Sequence, residues 1–275
     1  MRCRHPWRRV EANLKSRWVT ALVAIPLLIL IIGWGDARLF VGLFLFVTIV
    51  ALHEFFSMAF PGLVGEQVVG IFFGVGLFLS VFEFESPDIG LSLFLLSYFL
   101  IYLFMGGELK ERLMRLAWTL LGGFYLGYLL PQWILLFRLP RGRSWVAFVL
   151  LVVMLGDSVA YFVGRRFGTR KLAPTISPGK TVEGSLGYII GSVAAGLIAG
   201  KWLLPELPAG EIVAISAIAS VLGQLGDLFE SWIKRAFGVK DSGQLLPGHG
   251  GMLDRLDSLI FPAVFTSAYL RIFHP

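Results

Sequence analysis

Only one cysteine, Cys3, occurs in the 275 residues. A single thiol excludes an internal disulfide and a cysteine-based metal site. Charge is scarce as well. Asp, Glu, Lys and Arg make up 15% of the chain, against about 25% in soluble domains, so a soluble fold is excluded. No repeat of about 20–50 residues and no low-complexity linker is present. That argues against a transporter assembled from paired repeats.

Apolar residues fill the space that charge leaves. They form 56% of the chain, with 24 Phe, 8 Trp and 7 Tyr, and the mean hydropathy is +0.77. Such aromatic density suits lipid-facing and interfacial positions. The net charge of +6 then points to basic loops against an anionic leaflet and an anionic substrate, not to nucleic acid.

A hydrocarbon core about 30 Å thick needs roughly 20 apolar residues per helix. Dividing the chain at turn residues and charges predicts nine spans, at about 18–35, 37–60, 64–82, 89–107, 115–137, 145–164, 185–204, 211–237 and 256–274. The expected fold is all-α and polytopic. A basic arm (1–17) precedes one membrane domain (18–275), whose chemistry lies at about 145–260. The first run is read as an uncleaved helix, because Asp36-Ala37-Arg38 is a poor cleavage site. The second span holds His53 and Glu54, and the fifth is interrupted by Gly122-Gly123 and Pro131.

Loop charge sets the orientation. With the N-terminus cytoplasmic, 18 of the 24 basic residues fall on that side and the acidic loop of Glu83, Glu85 and Asp88 falls outside. Arg138, Arg141 and Arg143 break the rule.

Ionisable residues near hydrocarbon are costly and mark function. Residues 231–257 hold Asp241, His249, Asp254 and Asp257 together with Lys234, Arg235, Lys240 and Arg255. Just before them, Gln224, Asp227, Ser231 and Lys234 are spaced as one polar stripe on an apolar helix. Glu230 and Lys234, at i and i+4, are read as an ion pair. Asp227 has no basic residue one turn away and needs a cation. Asp254 and Asp257, one turn apart at a helix start, offer hard oxygen ligands suited to Mg²⁺. The plainer reading is that they favour a positive helix N-terminus. Gly250 and Gly251 belong to a glycine-rich stretch whose backbone N–H groups approach phosphate oxygens, with His249 as a phosphate or proton partner.

A second constellation starts at Asp157, which shares a helix face with Tyr161 and Gly164. Gly179-Lys180-Thr181 follows, with Glu183 in the next first turn. It resembles the tail of a phosphate-binding P-loop but is not one. Pro174 stands where the first glycine is needed, and no strand is expected before it. A capped helix start at Thr181 or Ser177 is the plainer reading.

The run Ser231-x-Ile-Lys-Arg235-x4-Lys240-Asp241-x-Gly243-x2-Leu246-Pro247-x-His249-Gly-Gly251-Met-x-Asp254-Arg-Leu-Asp257 resembles the signature of the phosphatidate cytidylyltransferases. Asp157–Tyr161–Gly164 and Ser177-Pro-x-Lys180-Thr-x-Glu183-Gly184 resemble that family's second block. The resemblance is strong from about residue 150 to 260 and only generic before it. It implies a metal-dependent nucleotidyltransferase that joins CTP and phosphatidic acid into CDP-diacylglycerol, releasing pyrophosphate. It further implies Mg²⁺, a second cation such as K⁺, a homodimer, and an inner-membrane site facing the cytoplasm. On this reading Asp227, Asp254 and Asp257 bind metal and Asp157 faces them. Lys180, Lys234, Arg235 and Lys240 grip phosphates; Glu183, Ser231, Asp241, His249, Gly250, Gly251 and Arg255 line the substrate. Competing readings are a CTP-dependent lipid kinase or CDP-archaeol synthase, and an ion transporter using Asp157 and Asp227.

Overall fold

The computed structural model describes residues 26, 29–83, 87–243 and 250–274. The basic arm with Cys3, most of the expected first span, and His249 lie outside the described residues. A helical stretch, α1 (29–34), leads into α2 (Ala37–Ala59), α3 (Val64–Glu83), α4 (Pro87–Phe104) and α5 (Leu109–Gly122). A π-helical turn (Gly123–Tyr128), α6 (Gln132–Arg138) and α7 (Gly142–Phe167) follow. Strands β1 (Lys171–Ala173) and β2 (Ser177–Thr181) then precede α8 (Val182–Leu203), α9 (Ala209–Ala236) and α10 (Leu253–Phe273).

The chain is an all-α, multi-pass membrane protein. Among the described residues seven helical segments are long and apolar enough to cross a bilayer, with Leu109–Arg138 counted as one. The expected fourth span is a shorter apolar helix, Leu91–Phe104. The count of nine is therefore not established by the described residues. The predicted break in the fifth span is present. The π turn starts at Gly123, and Pro131, which lacks an N–H, sits at the N-cap of α6. There the chain must pass another backbone, since a Cβ on Gly127 would collide with the Gly74 carbonyl oxygen.

One element was not expected. β1 and β2 form an antiparallel hairpin, pairing Lys171 with Thr181 and Ala173 with Ser177. A strand does precede Pro174, contrary to the sequence reading, although the missing glycine still rules out a P-loop.

Hydrogen bonds between distant segments sort the helix ends onto two faces. Glu54, near the end of α2, bonds the Leu253 N–H at the start of α10. At the opposite end, Tyr269 and His274 of the α10 terminus both meet Glu211 in the first turn of α9. This alternation is what antiparallel membrane helices require. The three rule-breaking arginines lie on the face away from Glu54, where the structure occupies at least two of them. The Arg143 guanidinium donates to the Gly33 carbonyl and, at 2.8 Å, to that of Gly35, satisfying carbonyls at the end of α1. Arg141 pairs with Glu206.

Without a hydrophobic drive between helices in lipid, small residues that let backbones approach set the packing. On α8, Gly187, Gly191, Ala195 and Ala199 recur every fourth residue and Ser192, Gly196 and Gly200 form a second row; all are buried. A methyl group at Gly191 would sit 2.7 Å from Val159 Cβ on α7. Ser192 Oγ donates to the Val152 carbonyl at 2.9 Å across the same seam. This contact holds Asp157 of α7 beside the hairpin that leads into α8.

Gly191→Leu is expected to push α7 and α8 apart and cost about 1–3 kcal/mol, measured as a lowered thermal midpoint in detergent. Gly210→Ala, where nothing lies within 4 Å of the added Cβ, leaves the midpoint unchanged or slightly raised.

Candidate functional site

The polar stripe of α9 faces the hairpin, α8 and α10. Gln224 Oε1 accepts from Ser185 Oγ on α8. One turn on, Asp227 Oδ2 meets Lys180 Nζ of β2 at 2.7 Å, which supplies the cation the sequence lacked nearby. Ser231 Oγ reaches Asp227 Oδ1 at 3.4 Å. Thr181 caps α8, its hydroxyl accepting from the Gly184 N–H at 3.1 Å, so the expected helix cap is present and aims Lys180 at α9.

Asp157, Lys180 and Asp227 line a cavity of about 370 Å³ together with Tyr161, Arg165 and Tyr188. Ser258 Oγ lies 3.4 Å from Asp157 Oδ2. Asp157 and Asp257 both interact electrostatically with Asp227. Asp257 Oδ1 also accepts from the Ser258 N–H at 2.6 Å. The backbones of α9 and α10 pass closely here, because a Cβ on Gly226 would strike the Asp257 carbonyl oxygen.

A second cluster adjoins the first. Lys234 Nζ lies 2.6 Å from both Glu230 Oε2 and Asp254 Oδ1. The i,i+4 pair read from sequence is thus present, and Glu230 is wholly buried. Asp254 Oδ2 accepts from the Gly251 N–H at 2.8 Å and from Ser242 Oγ at 3.0 Å.

Among the described residues no group of three or more His, Cys, Asp or Glu side chains is arranged to hold a metal ion. Asp227, Asp254 and Asp257 are not gathered into one set. Asp254 accepts from the Gly251 N–H just before its helix and from the Ser242 N–H and hydroxyl, and meets Lys234.

The remaining described residues of the predicted site do not line the cavity. Glu183 accepts from Thr169 Oγ1 at 2.7 Å and from the N–H groups of Thr169 and Arg170; it ties the hairpin to α8 and lies outside the cavity lining. Arg235 donates to the Ile176 and Val239 carbonyls, at 3.3 and 3.0 Å. Lys240, Asp241 and Arg255 are exposed. Gly250 has φ +80°, and a Cβ there would sit 2.8 Å from Asp254 Oδ2.

Sequence reasoning gave no role to Glu54, Tyr188 or Ser242. Glu54 was visible as a carboxylate inside an apolar span. Its partners, close to 200 residues away, were not.

Lys234→Met strands two carboxylates and is expected to cost about 3–5 kcal/mol, read as a lowered unfolding midpoint. Adding Glu230→Gln to that variant is expected to recover part of the loss, a coupling that a double-mutant cycle measures.

Residues 15–273 match the model of the cytidylyltransferase family. The phosphatidate cytidylyltransferase of Staphylococcus haemolyticus (strain JCSC1435) is 34% identical over 260 residues, covering 90% of this chain and 95% of the relative. The Bacillus subtilis (strain 168) enzyme of the same name is 34% identical over 256 residues, 90% of each chain. That of Brucella abortus (strain 2308) is 43% identical over 159 residues, 57% of this chain and 58% of the relative. A family model spanning nearly the whole chain, with relatives aligned over nine-tenths of it, establishes that the chain belongs to the cytidylyltransferase family.

Proposed function

We propose that the protein transfers the cytidylyl group of CTP to phosphatidic acid, giving CDP-diacylglycerol and pyrophosphate. The phosphate oxygen of the lipid bonds to the α-phosphorus of CTP. The bond from that phosphorus to the oxygen bridging to the β-phosphorus breaks, and pyrophosphate departs with the electron pair. Such a reaction needs alignment and charge neutralisation rather than a protein nucleophile.

The observation that carries the reading is the cavity where Lys180 meets Asp227 beside Asp157. Lys180 and Arg165 offer cationic donors to phosphate oxygens, and Lys240 is exposed beyond them on the loop after α9. Lys234, held between Glu230 and Asp254, orients the start of α10 toward the same place.

The donor set also fits Mg²⁺. Asp157, Asp227 and Asp257 present only hard oxygen atoms, and Lys180 is the lysine that pairs with one of them. Mg²⁺ needs no more than one or two carboxylates, its other positions going to water and substrate phosphates. One or two of Asp227, Asp254 and Asp257, the residues the family resemblance implies, would hold it, with Asp157 facing them. When bound, it supplies positive charge to the triphosphate and the leaving pyrophosphate.

The basic residues at the Glu54 face support a site open to the cytoplasm, with the acyl chains remaining in lipid. Family resemblance supports a homodimer in the inner membrane.

Purified protein supplied with CTP, phosphatidic acid and Mg²⁺ is expected to form CDP-diacylglycerol, with none formed in EDTA. Label in the α-phosphate of CTP passes to the lipid, whereas a lipid kinase passes on the γ-phosphate. Asp227→Asn and Asp257→Asn are each expected to lower kcat about a hundredfold or more while the protein stays folded. Near-normal kcat in both at saturating Mg²⁺ removes them from the reaction.

A further inference from the structure

We propose that Glu54 is a positioning residue for this reaction, a clamp from α2 that fixes where α10 begins and so where Asp254 and Asp257 stand. The inference rests on the reaction assigned above.

The first turn of a helix has N–H groups without intrahelical partners. α10 has no side-chain cap of its own; its N-cap position is Met252. The cap comes from another helix. Glu54 Oε1 accepts from the Met252 N–H and Oε2 from the Leu253 N–H, both at 2.9 Å. Oε2 also lies 3.1 Å from Ser242 Oγ, which lies 3.0 Å from Asp254 Oδ2. The Ser242 hydroxyl therefore stands between the α2 carboxylate and the first carboxylate of α10, within donating reach of either.

Burial makes the contact specific. Glu54 is 5% exposed and sits beside Phe55 and Phe56, which are fully buried. Among the described residues no Lys, Arg or His pairs with it. The N–H groups of α10, at the positive end of its dipole, are what stabilise the charge.

The surrounding loop is shaped to the carboxylate. A Cβ on Gly243 would lie 2.6 Å from Glu54 Oε1, and one on Gly251 would lie 2.5 Å from Oε2. Two glycines of the signature thus leave room for Glu54, in addition to any approach to phosphate. A serine or aspartate at residue 252 would reach only the N–H groups of residues 254 and 255, so the Met252 and Leu253 N–H groups need an acceptor from elsewhere. A carboxylate from α2 does more, because it joins α2, Ser242 and α10 at one point. Asp254 is the residue after Leu253, and Asp257 is one turn beyond, so a shift of the helix start moves both.

The test uses the full chain in lipid nanodiscs. Glu54→Gln is expected to remain folded and to lower kcat at least about tenfold, with KM for phosphatidic acid within about twofold of wild type. Hydrogen exchange at Met252 and Leu253 is expected to speed up at least about tenfold, with α8 unchanged. Tyr269→Phe, which loses the Glu211 contact at the opposite face, is the control and retains kcat within about twofold. A Glu54→Gln enzyme with kcat within twofold, unchanged exchange at Met252 and Leu253, or an equal kcat loss in the control each overturn the clamp. Should Glu54→Gln fail to fold, Ser242→Ala, which deletes one hydroxyl, decides. A kcat loss of about threefold or more with faster exchange upholds the proposal, and wild-type values overturn it. A wild-type chain without turnover overturns the assigned reaction instead, and exchange at Met252 and Leu253 alone then judges the clamp.

Discussion

A carboxylate in a low-dielectric region must find positive charge or hydrogen-bond donors, and the catalytic half of this protein is organised by that demand. Asp227 finds Lys180, Asp254 finds Lys234 and two backbone N–H groups, and Glu54 finds the first turn of α10. Each solution joins elements distant in sequence. Together they bring α2, the hairpin, α9 and α10 to one end of the bundle.

Close backbone approach makes those pairings reachable. The small-residue rows of α8 set it against α7, and Gly226 lets α9 pass the Asp257 carbonyl. Bulkier residues would hold the helices apart by about a side chain, and a 2.7 Å ion pair such as Lys180–Asp227 would open. Glycines in these helices therefore contribute through distance between elements, which compensates for their poor helix propensity.

Local patterns were legible in the sequence to the extent that helix geometry is local. The polar stripe of α9, the Glu230–Lys234 pair, the break near Gly123 and Pro131, and the Thr181 cap all follow from spacing within a few residues. The hairpin was missed because five residues reading Ser-Pro-Gly-Lys-Thr carry turn chemistry, and the pairing with Lys171–Ala173 has little β-branched or aromatic signal. Asp254 and Asp257, one turn apart, look equivalent on a helical projection. Only the positions of Lys234, Ser242 and the α10 N-terminus separate them. Glu54 was passed over for a related reason: nothing within a helical turn of it reveals a partner near residue 252.

The balance of charge distinguishes holding the fold from doing chemistry. Elsewhere acidic groups are closed off: Glu66 meets Arg115 and Tyr102, and Glu211 meets Tyr269 and His274. Around the cavity the balance differs. Asp227 meets Lys180, Glu230 and Asp254 share Lys234, Arg165 lines the cavity wall, and among the described residues Asp157 and Asp257 have no ion pair. A purely structural seam would gain by losing the excess carboxylates, since each uncompensated charge costs stability. Their persistence beside a cavity large enough for a polar headgroup fits a site whose remaining positive charge arrives with its substrate, as a cation bound to a triphosphate.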